Sequence, residues 1–374
     1  ESPIPVAVSR CRPRLFLMPV FGAILAQVFG GIPLKTSRNL KRFSGILLAA
    51  AFSLSATGVV AQEYVIKFSH VVALGTPKGK AADLFAKLVN ERMKGKVHVE
   101  VFPNSQLYND NKVMEAMRLS DSKTTGIMAA PSLSKFVKFS RTIQAFDIPY
   151  LFNDINDVHK LVDSPLMAKM TQPLERKGLK ALSLWDNGMK VFSIRGDRPL
   201  KKVPDDFAGK KFRIQSSEVH AAMIKALGGV PQKLPFKEVY QALSQGVVDG
   251  QENAWSNVYS KKFYEVQDYI TVSNHSYLGY MVVVSASFWN GLPDDIRKEL
   301  TAIMAEATEA NRRFAAEADK GDRARIEAAG KAKVVELTAD ELAQWRKAVS
   351  GVEGKFSKQI GRDLLKQIHD LLGH

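Results

Sequence analysis

The chain has 374 residues, 45% of them apolar and 24% charged, the balance of a soluble globular protein long enough for two domains. Its one cysteine, Cys11, lies in a segment expected to be removed, which excludes disulfides, thiolate catalysis and cysteine metal sites from the mature protein. The formal net charge is +15, but seven of the 53 basic and one of the 38 acidic residues precede Gln62, leaving +9 whose lysines are dispersed: a solvated basic surface that favours anions rather than a nucleic-acid footprint.

Residues 34–61 form a secretory signal. Lys35, Arg38, Lys41 and Arg42 make a basic start, Phe43 to Leu54 an apolar stretch, and Val59-Val60-Ala61 a small-residue cleavage site before Gln62. An uncleaved N-terminal anchor is the other reading. Residues 1–33 add a second apolar run, Leu15 to Gly31, without a leading Met; a start site assigned too early produces this, as does a longer leader.

From Glu63 to Val72 the alternation predicts a first strand, with Ser69 and His70 at its end. Thr76-Pro77 caps a helix carrying Ala81, Leu84, Phe85, Leu88 and Val89, and Val97, Val99 and Val101 alternate as a second strand, completing a βαβ unit. Gly75-Thr76-Pro77-Lys78-Gly79-Lys80 has one residue too few for a phosphate loop, and Ala81 stands where a hydroxyl must hold magnesium. Further on come a helix at Asn111 to Leu119, a buried strand at Thr125 to Ala130 and an amphipathic helix at Asp157 to Leu174. Strands are expected at Leu179 to Trp185, Lys211 to Ile214, Gly246 to Gly250, Val266 to Thr271 and Met281 to Ser285. Helices fall at Glu218 to Leu227 and Phe236 to Ser244, and one long helix follows Pro293 to about Gly330.

The chain is organised around Trp185 to Asn257. Arg213 stands at the end of a short strand where a polar loop begins, the place where open α/β sheets hold ligands. A guanidinium fork fits a carboxylate bidentately, Lys190 offers a point charge, and the Asn253 amide can both donate and accept. Together they form a candidate small-anion clamp. Each also has a plain structural reading, an ion-pair Arg in a strand and a turn Asn. No serine-nucleophile elbow, zinc-protease helix or dinucleotide turn is present, so no enzyme is indicated.

Several runs settle the matter by resemblance: Phe68 to Val72, Val101 to Leu107, Pro131 to Phe136, Arg213 to Ser217, Phe236 to Leu243, Val248 to Asn253 with Trp255-Ser256-Asn257, and Phe288 to Pro293. In order and wording they resemble the solute-binding subunit of TRAP transporters, the DctP family, from about Tyr64 to the C-terminal helices. The resemblance implies an α/β, two-lobed periplasmic binding protein fold with crossing strands, a central ligand cleft and a long bracing helix. Lobe 1 would comprise 62–186 and about 277–310; lobe 2 and the brace would take about 187–276 and 311–374.

It further implies a monomeric periplasmic protein without cofactor or metal. Such a protein captures a small organic acid and passes it to membrane permease subunits. Arg213 would take the carboxylate, Asn253 would assist it, and Lys190, at a place where many relatives carry Arg, would be a second cation. Phe236 and Trp255 would be apolar walls, with Ser69, His70 and Tyr277 toward the far end of the ligand. The runs look most like the branch that binds succinate, fumarate and malate. Other branches bind keto acids or sugar acids, and a sensor with the same fold would look alike in sequence.

Overall fold

The computed structural model describes residues 64–374; the signal segment and residues 1–33 lie outside the described residues. Ten strands form the frame: β1 (Tyr64–Ser69), β2 (Val97–Phe102), β3 (Thr125–Ala129), β4 (Leu179–Ile194), β5 (Lys211–Ile214), β6 (Val230–Lys233), β7 (Gly250–Ala254), β8 (Tyr269–Val272), β9 (Tyr277–Ser285) and β10 (Lys333–Glu336). Their order is β2-β1-β3-β9-β4-β7-β5-β6, with β8 beside β4 and β10 beside β8. This is a two-lobed α/β fold.

The first lobe grows from the βαβ unit, β1 parallel to both β2 and β3. Its helix Pro77–Arg92 starts where the sequence predicts, because the Thr76 hydroxyl accepts from the Gly79 amide at 3.2 Å and Pro77 needs no partner at the first position. The second lobe repeats the parallel theme with β5 between β6 and β7. What joins them is β4. Residues 179–189 pair antiparallel with β9 in the first lobe, and residues 190–194 pair with β7 in the second. The return segment holds β8 and β9, both antiparallel to β4, so the strands cross between the lobes twice.

At the crossing the ladder is bulged between Asp186 and Gly188, which leaves Asn187 without a cross-strand partner. Asn187 turns this to use: its Nδ2 donates to the Tyr280 hydroxyl at 3.1 Å, and its Oδ1 accepts from Ser256. Gly188 has φ +136°, and a Cβ there would lie 3.1 Å from Asp319 Oδ1 on the long helix, so glycine is required.

That helix, Asp294–Ala329, is the expected brace. Ile296, Leu300, Ile303, Met304 and Ala307 bury their 3.6-residue stripe against the first lobe, while Ile326 enters the second lobe's core. Midway, Asn311 Oδ1 accepts from the Asp186 amide at 2.6 Å, and Thr308 accepts from the Trp185 indole at 3.1 Å. Three C-terminal helices, Ala339–Val349, Gly351–Ile360 and Arg362–Leu372, bury Trp345, Phe356 and Leu365 in the core that holds Phe146 and Phe192.

Two local expectations need correction. Asp157 to Leu174 is not one helix: Ser164 caps a new one through the Leu166 amide at 3.2 Å and Pro165 starts it, giving Ile155–Val162 and Pro165–Glu175. The strand expected at Gly246 to Gly250 lies four residues later. Gln251, Glu252 and Asn253 are polar yet at most 2% exposed, so hydropathy hides it. Among the described residues no helix is long and apolar enough to cross a membrane.

Candidate functional site

The parallel strands β1, β3, β5 and β7 all end at one cavity. From the first lobe come Val71 and Val72 after β1, Ser132 and Lys135 after β3, Asp110 at a helix start, and Leu278 and Tyr280 from β9. From the second come Arg213 and Gln215 on β5 and beyond it, Asn253 and Asn257 on and after β7, and Phe236 with Lys237. The empty space is about 570 Å³ with its mouth included. Ligand sites at the carboxyl ends of strands are the rule for open α/β sheets.

Arg213 is 2% exposed. Its Nε and Nη2 donate to the Leu234 carbonyl at 3.1 and 2.9 Å, which fixes the plane of the guanidinium. Three of its five N–H hydrogens remain, and it forms no ion pair among the described residues. Burial pulls its pKa down to about 10 against the opposing pull of Glu252 and Asp110. A buried cation lacking a direct counter-ion is costly, and an incoming anion removes that cost.

Asn253 is held by a relay of amides with a single direction. Asn257 Nδ2 donates to Asn253 Oδ1 at 2.8 Å, Asn253 Nδ2 to Gln251 Oε1 at 3.2 Å, and Gln251 Nε2 to Ser193 at 2.9 Å. Ser193 then donates to Gln267 at 2.9 Å, and Gln267 Nε2 to the Val266 carbonyl at 2.9 Å. Because the relay ends on a backbone carbonyl, every amide orientation follows, and Asn253 keeps one N–H hydrogen for another acceptor. Opposite, the Tyr280 hydroxyl accepts from Asn187 and Asn257 at 3.1 and 3.2 Å, while Lys78 Nζ sits 3.6 Å from its ring centre and donates to the Ala130 carbonyl at 2.9 Å. Burial holds the Lys78 pKa at about 8.

The cleft is closed. Lys135 Nζ donates to the Ser216 hydroxyl at 2.9 Å, Ser132 donates to Gln215, and Lys261 reaches Asn104 at 3.3 Å, each bond running from one lobe to the other.

Of the residues singled out in the sequence, Arg213, Asn253 and Phe236 line this cavity. The other five stand elsewhere. Lys190 is 1% exposed and ion-paired to Glu252 at 2.7 Å, with His220 Nε2 at 3.3 Å; its charge is neutralised inside the second lobe. Trp255 belongs to that lobe's core beside Val239, Leu243 and Phe263, with the Arg323 guanidinium 5.6 Å over its ring. The Ser69 hydroxyl binds the Tyr108 backbone. His70 is 1% exposed against Phe68, and burial, then Lys78, lowers its pKa to about 3 against the opposing pull of the Val72 backbone. Tyr277 packs between Phe146 and Phe152 and donates to Asp186.

The near misses are instructive. The wall begins one residue after His70, at Val71, and one after Tyr277, at Leu278. The loop Pro131 to Phe136, one of the runs that carry the resemblance, supplies Ser132 and Lys135. Gln215 and Asn257 sit in runs already recognised, and their place beside Arg213 and Asn253 was the available signal.

Two lobes closed over a polar cavity with an unneutralised guanidinium in its wall define a solute-binding protein. Residues 68–359 match the family described as bacterial extracellular solute-binding protein, family 7, DctP. Over 331 residues the chain is 44% identical to the C4-dicarboxylate-binding periplasmic protein DctP of Rhodobacter capsulatus, covering 88% of this chain and 97% of that protein. It resembles the TRAP periplasmic solute-binding protein of Shewanella oneidensis, solved with bound succinate, at a TM-score of 0.79 and 42% identity, covering 83% of this chain and 99% of that one. A second such protein, from Pseudomonas aeruginosa and solved with bound L-malate, gives a TM-score of 0.74 and 40% identity over 78% and 99% of the two chains. The chain belongs to the DctP family of bacterial extracellular solute-binding proteins.

Proposed function

We propose that this chain is the solute receptor of a TRAP transporter, that it captures a four-carbon dicarboxylate of the succinate, fumarate and malate class by closing its lobes, and that it hands the acid to a membrane permease. One observation carries the reading: Arg213 is buried in the cavity wall, oriented by Leu234, and lacks a carboxylate partner among the described residues. Arg213 takes one ligand carboxylate bidentately, and the remaining Asn253 hydrogen supports the same group. Phe236 and the closed lobes exclude water, which strengthens each charged bond. The relatives from Shewanella oneidensis and Pseudomonas aeruginosa that hold succinate and L-malate support the choice of skeleton.

The lobes are taken as 62–186 with about 277–310, and about 187–276 with 311–374. Export is through the signal at 34–61, and sequencing the exported protein is expected to start at Gln62. The deciding experiment is calorimetric titration of residues 62–374 with succinate, fumarate and malate, recovering the acids unchanged. Binding supports the reading; binding of a different carboxylate alone replaces the substrate, and no binding of any anion overturns it.

A further inference from the structure

Arg213 and Asn253 account for one carboxylate only. The cavity lining nevertheless holds three cations, Arg213, Lys135 and Lys237, against the single carboxylate of Asp110. Lys237 is exposed at the rim, whereas Lys135 is half-buried and faces the cavity from the first lobe. Its ammonium meets a neutral partner, the Ser216 hydroxyl of the second lobe at 2.9 Å, and it forms no ion pair among the described residues. Burial and the charge of Arg213 both lower its pKa, while Asp110 raises it. Two cations thus line one cavity from opposite lobes, each without a carboxylate at hydrogen-bond distance among the described residues, and they repel each other until a doubly charged guest offsets both charges. Lys190, the cation expected here, is neutralised by Glu252 at 2.7 Å.

We propose that Lys135 selects a dicarboxylate: its ammonium receives the second carboxylate of a ligand whose first is held by Arg213, and so ties the first lobe to the second through the ligand itself. This rests on the solute-binding reading above. The bonds from Lys135 to Ser216 and from Ser132 to Gln215 close the cleft without ligand charge. An acid with one carboxylate gains the Arg213 clamp and leaves Lys135 on Ser216. A dianion gains both.

The test compares succinate with succinamate, its half-amide of nearly equal shape, by competition calorimetry on the wild type, Lys135→Met, Lys135→Arg and Arg213→Ala. The wild type is expected to prefer succinate by about 10- to 100-fold, one charge-assisted contact. Lys135→Met loses that preference by weakening succinate much more than succinamate, which forfeits only the closing bond to Ser216; Lys135→Arg keeps most of it, and Arg213→Ala weakens both acids. A preference unchanged in Lys135→Met, with both acids weakened in Arg213→Ala, overturns the role of Lys135 and leaves the clamp standing. Undiminished binding in Arg213→Ala, or a wild type that binds neither acid, overturns the clamp as well.

Discussion

Replacing Arg213 by Ala separates its service to the ligand from its service to the fold. Two of its three remaining hydrogens bind the ligand carboxylate, and charge-assisted bonds contribute about 1.5–3 kcal/mol each. Their loss costs about 3–6 kcal/mol of binding, or about 10²- to 10⁴-fold in Kd. In the unliganded protein two effects oppose each other. Leu234 loses both donors, at about 1–3 kcal/mol for a stranded carbonyl. Against this, a buried and unpaired cation disappears; its pKa falls from 12.5 to about 10, and at about 1.4 kcal/mol per unit that strain is about 3 kcal/mol. The melting temperature should therefore move by only a few degrees while binding collapses. Titration calorimetry on the folded variant reads the first and differential scanning calorimetry the second. A loss of affinity below tenfold in a folded protein refutes the reasoning.

Glu252→Gln should destabilise far more than Arg213→Ala, because it leaves Lys190 buried without its counter-ion, at about 3–5 kcal/mol; adding Lys190→Met should restore part of the loss in urea denaturation, and a fully stable single variant would contradict the pairing. Acid should weaken the fold well above the carboxylate range. Burial lowers His70 from 6.5 to about 3 and His275 from 6.5 to about 4, so below pH 6.5 the unfolded chain binds protons that the folded chain refuses. The stability these groups contribute is complete above pH 6.5 and is lost as pH falls toward 4, at about 1.4 kcal/mol per proton per pH unit. Urea midpoints at pH 7.5 and 5 check this, and His70→Phe should flatten the dependence; equal midpoints would remove its basis. Tyr277→Phe should lower stability by about 1–3 kcal/mol through the lost bond to Asp186 and leave ligand affinity within about threefold; a tenfold weaker Kd would return Tyr277 to the ligand site.

Much of the frame was legible because it obeys local rules. The Thr76-Pro77 start, the alternating β2 and the long periodic helix after Pro293 each follow from residues within a turn of one another. Arg213 was legible for a similar reason, a charge at a strand end followed by small polar residues. Lys190 was not, since its partner Glu252 is set by the β4 and β7 ladder across more than sixty positions, and a lysine looks the same whether it faces a ligand or a carboxylate. Lys135 was hidden in the opposite sense, as one lysine among many until the closed cleft placed it against Ser216. The four-residue strands β6 and β10 went unseen because they bury little apolar surface and depend on their neighbours for pairing.

The aromatic residues behind the cavity bear on how the protein folds. One continuous core takes Phe146 and Phe152 from the first lobe, Phe192, Phe207 and Phe212 from the second, and Trp345, Phe356 and Leu365 from the C-terminal helices. Phe192 alone has Phe207, Phe212, His275 and Trp345 around its ring. The lobes are thus separate as shapes and inseparable as folding units. Neither holds a complete interior without the chain that returns to it last, so denaturation should proceed as one all-or-none event, and translation must reach the final helices before either half can become native.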